Sequence, residues 1–427
     1  MSKMMKIIGA VAVINIVARM FGFLREVVIG NQYGLSKTAD AITEAYTIPN
    51  FIYLVVGGAL TTAFISVYHS TKTDKTLYVR KSFTTVLVAA VSVTAILLIF
   101  TEPVLKIFFA SETVEEYELI RRLYLWMMPS SIILVLSTWM SGVLNVNGKY
   151  NLSSMAVLLY NAAFVGIAVL LTSTFGPESY GIGAMVAAVL MGGFLYVGFR
   201  KSKLYSLKPS FGMSDDVKRI WVIALPILFG GASLQFYFLI HRFAANQFGE
   251  GIVTAVNLAS KLTNLPQAIL MTAVTTVIYP LLSKKEGEGD METIRKLYKK
   301  GMLYLVVLLA PATAVAYFFA EPLVSLVFER KNFTWEDVLI MVPIFRVFTL
   351  SMFFLAANTF ITRFYYAKAN SIVPVIFSAI SVFGINVAII YLMKDAFGPS
   401  AIAYGTAISA AANFVMLVIY ARVKWKL

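Results

Sequence analysis

The chain has 427 residues, of which 59% are hydrophobic and only 14% are charged, and its mean hydropathy is +0.79. A soluble domain has about 25% charged residues, so this composition excludes a soluble protein and indicates a polytopic membrane protein. Cysteine is absent and histidine occurs twice, which excludes disulfides, thiolate sites and a histidine metal cluster. The net charge of +14 is concentrated in loops, so we expect no nucleic-acid partner.

Twelve apolar stretches are long enough to cross about 30 Å of hydrocarbon as helices. They fall at residues 6–30, 42–68, 82–101, 119–144, 151–173, 181–200, 219–245, 252–283, 300–320, 338–363, 371–393 and 400–421. The first is interpreted as a retained helix and not as a signal peptide, because it contains Arg19 and no small-residue cleavage site follows it. The sequence therefore predicts an all-α membrane protein with twelve transmembrane helices.

Lysine and arginine are distributed unequally between the two sets of loops. The set that includes both termini contains 24 of these residues, and the opposite set contains 7. The positive-inside rule therefore predicts that both termini are cytoplasmic. The two longest loops on the other side, around residues 102–121 and 321–338, are acidic and amphipathic.

Four short segments of the first half recur in the same order in the second half, at offsets of 214 to 222 residues. The matched pairs are Asn31–Gly34 with Asn246–Gly249, Ala59–Thr62 with Ala273–Thr276, Phe100–Pro103 with Phe319–Pro322, and Phe175–Pro177 with Phe397–Pro399. A duplication of six helices gives halves of the same orientation, which commonly rock around a midplane site. We therefore predict two pseudo-symmetric six-helix lobes, residues 1–205 and 206–427.

Five cations lie within or at the ends of the predicted spans: Arg19, Arg25, Arg242, Lys261 and Arg346. An arginine near the bilayer centre costs about 2.5–3.5 kcal/mol, so two in the first span indicate a polar interior. A guanidinium fork matches phosphate oxygens, so we expect the first four to bind a phosphate or diphosphate, and Arg346 is a weaker candidate. The alternative is that some of these side chains snorkel to an interface or form structural pairs.

Asp40 and Glu44 lie one helical turn apart at the start of the second span, and Asn50 follows them. We interpret them as a candidate external gate; the alternative is a solvated helix N-terminus favoured by the dipole. His241 is a buried-looking side chain whose ordinary pKa lies near neutrality, which allows a role in proton coupling or a hydrogen-bonded packing role. No catalytic motif, metal-ligand spacing or cofactor motif is present in the sequence, so we expect neither an enzyme nor a bound cofactor.

Several motifs occur together in the first two spans, and further motifs follow along most of the chain. They are Ala18–Glu26, Tyr33–Gly34, Asp40–Ala41, Ile48–Asn50, Gly142–Asn145, Lys261–Leu262, Phe328–Arg330 and Phe364–Lys368. This set resembles the signature of the MurJ (MviN) family of lipid II flippases. The resemblance implies the fold of the MOP exporter superfamily, which resembles that of MATE transporters: two six-helix lobes in a V around a central cationic cavity. By position, Arg19, Arg25, Asp40 and Lys261 match charged residues of that cavity or its gate.

Three features depart from the family pattern. Tyr53–Leu54 stands where family members have a paired arginine, and Gly57 or Gly58 stands where they have a glutamate. Two further helices, which form a groove for the lipid tail in the family, are not among the twelve predicted spans. An acidic residue associated with cation binding in some relatives falls at His241, which leaves Asn386 as a candidate partner for ion coupling.

The leading hypothesis is a flippase that exports a polyprenyl-diphosphate-linked peptidoglycan precursor, similar to lipid II, by alternating access. It would lie in the bacterial cytoplasmic membrane, and the membrane potential or an ion gradient would reset the empty carrier. The alternatives are a flippase for another lipid-linked glycan, a MATE-like small-molecule exporter and a non-transporting membrane scaffold. The implied partners are an undecaprenyl-diphosphate-linked glycan, membrane lipids and the cell-wall synthesis machinery.

Overall fold

The computed structural model describes residues 3–109, 113–230, 233–273, 278, 281–282, 285–286, 288–368 and 370–426. Within these ranges the chain is helical, and its β-structure is limited to an isolated bridge between Arg330 and Phe333. Residues 231–232 of the predicted seventh span and residues 274–276 of the sequence repeat lie outside the described residues.

The helices of the first half follow the predicted apolar stretches. Their bounds are α1 Lys3–Tyr33, α2 Lys37–Ser70, α3 Lys75–Ile99, α4 Thr101–Phe109, α5 Val114–Met127, α6 Ser130–Val146, α7 Tyr150–Phe175 and α8 Glu178–Lys201. A π-helical turn occupies Ile52–Gly57 within α2. Helices α5 and α6 meet at an angle of 41°, and Pro129 lies at this break. The predicted fourth span is therefore a bent pair of helices.

The second half has the same character. Its helices are α9 Asp215–Gly230, α10 Ser233–Ala245, α11 Ile252–Ala273, α12 Met291–Phe318, α13 Ala320–Phe328, α14 Trp335–Thr349, α15 Met352–Ala367, α16 Ile372–Phe397 and α17 Ser400–Trp425. Helices α14 and α15 together form one apolar span of 33 residues. A second π-helical turn occupies Ile380–Asn386 within α16. Such turns are frequent at functional sites.

Among the described residues, eight helices are long and apolar enough to cross a membrane, or nine if the bent pair α5–α6 is one span. In lipid, every backbone N–H must be satisfied within the segment, so apolar stretches of this length fold as helices. Helices α1, α9 with α10, and α11 occupy the other predicted spans. The prediction of an all-α membrane protein is confirmed, and the count of twelve spans stays a prediction.

The chain forms two compact units that do not coincide with the two halves of the sequence. Unit 1 consists of Met1–Val28 with Lys37–Gln235, and unit 2 consists of Ile29–Ser36 with Phe236–Leu427. Unit 1 thus includes residues of the second half of the sequence, up to Gln235, and unit 2 includes Ile29–Ser36 of the first half. The lobe boundary at residues 205 and 206, which rests on the sequence repeat, stays a prediction.

An aromatic cluster joins α2, α3 and α6 within unit 1. The Phe64 ring stacks on the Tyr78 ring at 5.4 Å and meets the Trp139 ring edge-on at 5.7 Å. The Tyr78 hydroxyl also donates to the Phe64 carbonyl at 2.9 Å. All three side chains are fully buried. Their burial fixes the ends of α2 and α3 against α6.

The segment between α8 and α9 is bound to unit 1. The hydroxyls of Tyr68 and Tyr205 lie 2.7 Å apart. Asp216, at the start of α9, accepts hydrogen bonds from Thr71 Oγ1 at 2.7 Å and from Thr73 Oγ1 at 2.6 Å. These bonds attach the linker and the first turn of α9 to the end of α2, which explains why α9 belongs to unit 1.

The end of α1 and the turn after it belong to unit 2. The Asn332 backbone N–H donates to the Asn31 carbonyl at 3.2 Å, and Asn332 Nδ2 donates to the Gln32 carbonyl at 2.5 Å. Gly34 has φ +63° and contacts the Asn332 carbonyl so closely that a Cβ would overlap it. Gly251 allows a second close approach to the turn after α1, because a Cβ at this position would lie 2.6 Å from the Leu35 carbonyl oxygen.

Candidate functional site

Arg25 on α1 lies in a buried cluster of unit 1. Its Nη2 donates to Glu26 Oε1 at 2.7 Å, and the two residues are 9% and 5% exposed. Its Cζ lies 4.4 Å from the centroid of the Tyr46 ring and 5.0 Å from that of the Phe164 ring. Both distances are within the range of about 6 Å for a cation–π interaction. An ion pair and two aromatic rings therefore hold this guanidinium in place.

The other predicted site residues of unit 1 lie in different environments. Arg19 and Arg25 are about 120° apart on an ideal helix, and Arg19 is exposed, so the structure does not add it to the buried cluster. Asp40 and Glu44 are 3% and 1% exposed, so a solvated helix N-terminus does not describe them. Asn50 is half-buried on the same helix. The gate function of these three residues stays a prediction.

His241 on α10 is hydrogen-bonded inside unit 2. Its Nε2 lies 2.7 Å from Thr406 Oγ1, and that hydroxyl donates to the Ile402 carbonyl at 3.1 Å. Because a hydroxyl has a single proton, Nε2 is the donor of the first bond. His241 is 4% exposed, and its Nδ1 has no hydrogen-bond partner among the described residues. The His241 ring is therefore packed and hydrogen-bonded through Nε2, whereas its Nδ1 remains available to an additional partner.

Two predicted cations lie near His241. Lys261 Nζ is 4.8 Å from the centroid of the Phe238 ring, and that ring meets His241 edge-on at 6.4 Å. Arg242, the next residue in α10, is half-buried. Within unit 2, α10 and α11 thus bring Arg242, Lys261 and His241 into one region.

Asn386 ends the π-helical turn of α16 and is fully buried. Neither of its side-chain atoms has a hydrogen-bond partner in the described part of the chain. Gly405 on α17 packs against it, and a Cβ there would lie 2.6 Å from Asn386 Oδ1. Since Thr406 follows Gly405, Asn386 and His241 contact neighbouring residues of α17. A buried amide without partners reduces stability, which marks this position as a candidate site.

Arg346 lies on α14 and is half-buried. Its Nε is buried without a hydrogen-bond partner among the described residues. The structure thus leaves Arg346 as a candidate cation of unit 2, in addition to the pair near His241.

The aromatic residues around Arg25 were not predicted from the sequence. Tyr160 and Phe164 are four residues apart on α7, so they share a helix face. The Tyr160 hydroxyl lies 3.3 Å from that of Tyr46, and the Tyr53 and Tyr160 rings are 6.4 Å apart. The spacing of Tyr160 and Phe164 indicates a shared aromatic face on α7, but the sequence does not indicate which helix packs against that face.

The family model and the curated relatives agree on one family. The family model described as lipid II flippase MurJ matches residues 29–427. The chain is 23% identical over 416 residues to a probable lipid II flippase MurJ of Bdellovibrio bacteriovorus, covering 95% of this chain and 79% of that protein. It is 26% identical over 378 residues to a lipid II flippase MurJ of Burkholderia cenocepacia, covering 84% and 73%.

Solved structures show a similar fold. A lipid II flippase MurJ in an inward closed conformation matches with a TM-score of 0.83 and 21% identity, covering 96% of this chain and 87% of that one. An inward-facing multidrug resistance MATE transporter of the MOP superfamily matches with a TM-score of 0.81 and 14% identity, covering 96% of each chain. The expected fold class is confirmed, and fold alone does not separate these two kinds of transporter.

Proposed function

Because the chain belongs to the MurJ family of lipid II flippases, we propose that it carries lipid II across the bacterial cytoplasmic membrane by alternating access. The observation that supports this function is the family match over residues 29–427, since a MATE-like exporter has a similar fold. We place both termini on the cytoplasmic side, because the loops of that side contain 24 lysines and arginines against 7. The cell-wall synthesis machinery would consume the exported lipid.

The anionic diphosphate of the substrate needs cationic ligands in a membrane. In unit 1 the candidates are Arg25, which is buried beside aromatic rings, and Arg19, which is exposed. In unit 2 they are Arg242 and Lys261. Guanidinium groups bind phosphate oxygens through two parallel hydrogen bonds, which suits this assignment. Asp40, Glu44 and Asn50 are proposed to close the external side.

Complementation tests the proposed function. The chain is expressed in a bacterium depleted of its lipid II flippase, and exposure of lipid II on the outer leaflet is measured. We expect rescue by the natural sequence, loss of rescue by the double variant Arg19→Glu/Arg25→Glu, and unchanged rescue by Lys201→Glu, which alters an exposed cation. Rescue by the double variant would contradict the cationic site. Absence of rescue by a chain shown to be in the membrane would favour another lipid-linked glycan.

We also propose that His241 and Asn386 form the site that couples transport to an ion or a proton. The support is that both side chains are buried and have polar atoms without hydrogen-bond partners in the described part of the chain. Both side chains also contact α17, His241 through Thr406 and Asn386 through the neighbouring Gly405. The alternative is that the membrane potential alone resets the carrier, which involves about 2.3 kcal/mol per charge across 100 mV.

Asn386→Leu is expected to stabilise the protein while reducing transport driven by an ion gradient. The variant removes a buried amide that has no partner among the described residues, which is worth about 1–3 kcal/mol. Asn358→Leu is the matched control, because Asn358 Nδ2 donates to the Ala410 carbonyl at 2.9 Å and its loss should destabilise. Thermal unfolding and proteoliposome flipping measure the two effects. Equal destabilisation by both variants, or unchanged coupling in Asn386→Leu, would contradict this assignment.

A further inference from the structure

Most hydrogen-bond donors of Arg25 are unused within the described residues. A guanidinium has five N–H donors, and the bond to Glu26 Oε1 is the hydrogen bond found for Arg25 in the part of the chain that the structure describes. The rings of Tyr46 and Phe164 interact with its charge at 4.4 and 5.0 Å. These contacts leave N–H groups in the guanidinium plane available to an acceptor.

A hydroxyl donor lies beside this guanidinium. The hydroxyl oxygens of Tyr46 and Tyr160 are 3.3 Å apart. Each phenol has one proton, so one hydroxyl donates within the pair and the proton of the other remains. No second acceptor for this proton is found among the described residues. The remaining proton belongs to Tyr46, which is half-buried, or to Tyr160, which is 3% exposed, and a buried donor without an acceptor is costly.

The combination suits an anionic oxygen. Arg25 and the tyrosine pair both offer donors, and hydrogen bonds from such donors to a charged oxygen are about twice as strong as neutral ones. The Glu26 carboxylate already balances part of the charge of Arg25 at 2.7 Å. The hydroxyl therefore supplies a larger share of the binding of an anion than it would beside an unpaired arginine.

We propose that the hydroxyl pair of Tyr46 and Tyr160 binds the substrate: one hydroxyl donates, together with Arg25, to a phosphate oxygen of the diphosphate, and the other hydroxyl donates to the first. The identity of the substrate rests on the proposed function, whereas the anion chemistry rests on the geometry of the cluster. Lipid-linked diphosphate and free pyrophosphate share this chemistry. The test therefore uses both.

The first measurement is the lipid II concentration that gives half-maximal flipping by the full chain in proteoliposomes. Tyr46→Phe and Tyr160→Phe keep the rings and remove one hydroxyl each. In the variant that lacks the donating hydroxyl we expect this concentration to rise about tenfold or more, with the maximal rate nearly unchanged, because a hydrogen bond to a charged group is lost. In the other variant, which lacks the hydroxyl that orients the donor, we expect a smaller rise. Tyr124→Phe is the matched control, since its buried hydroxyl donates to the Leu97 carbonyl at 3.1 Å, in the same unit.

The second measurement is the rise in Tm that inorganic pyrophosphate gives to the purified protein, which does not depend on transport. We expect a smaller rise in both tyrosine variants than in the natural sequence and in Tyr124→Phe. If the natural chain does not flip lipid II but the hydroxyls still control the rise, the proposed function fails and this inference stands. Unchanged half-maximal concentration and unchanged rise in Tm in both variants would overturn it, as would the absence of any rise together with unchanged flipping.

Discussion

Arg25→Ala is expected to abolish lipid II flipping and to lower the free energy of unfolding by about 3–5 kcal/mol. The large stability effect follows because the variant breaks a buried ion pair with Glu26, which is 5% exposed. It also removes the cation between the rings of Tyr46 and Phe164. Unfolding in detergent micelles and flipping in proteoliposomes measure the two effects separately.

Two further variants separate stability from transport. Arg122→Ala breaks an ion pair of similar length, 2.8 Å to Glu178, but the side chains are 50% and 33% exposed, so the loss should be at most about 1 kcal/mol. Arg25→Ala/Glu26→Gln removes the buried charge as well and should recover most of the stability without recovering flipping. Recovery of flipping in this double variant would show that Arg25 acts through structure alone.

Gly34→Ala is expected to lower the free energy of unfolding by two additive effects. The residue has φ +63°, where a side chain costs about 1–2 kcal/mol. The new Cβ would also overlap the Asn332 carbonyl, and overpacking costs about 1–3 kcal/mol. Thermal unfolding of the purified variant measures the sum.

Gly148→Ala isolates the first effect, because Gly148 has φ +74° with no atom within 4 Å of the position of a Cβ. We expect Gly148→Ala to lower Tm by roughly half as much or less. Equal shifts in the two variants would mean that the turn after α1 is not tightly bound to Asn332.

The helices could be predicted from the sequence because apolar stretches long enough to cross a membrane fold as helices in lipid. The bend between α5 and α6 and the two π-helical turns were not predicted, since they depend on packing that a hydropathy pattern does not contain. The sequence repeat also does not indicate which segments form each compact unit, and the lobe boundary at residues 205 and 206 stays a prediction. The repeat indicates a boundary near residue 205, whereas the bonds from Asp216 to Thr71 and Thr73 bind α9 to unit 1.

The sequence indicates the cations of the candidate site, whose binding role stays a prediction, and it does not indicate the aromatic residues around Arg25. A buried cation needs compensation, and structural pairing was the alternative interpretation for the cations of the predicted spans. The rings of Tyr46, Tyr160 and Phe164 come from two other helices, and one sequence does not reveal which helices pair. Tyrosine is also common in membrane proteins for other reasons, so its presence alone carried little information.

The attachment of Ile29–Ser36 to unit 2 has a consequence for biosynthesis. Asn332 and Gln32, which hydrogen-bond, are 300 residues apart in the sequence. At about 5–20 residues per second, the turn after α1 leaves the ribosome roughly 15–60 s before its partner exists. Throughout that interval its polar backbone groups must be satisfied by water, lipid headgroups or the insertion machinery. Completion of unit 2 therefore waits for the last third of translation, although one of its segments is among the first to be made.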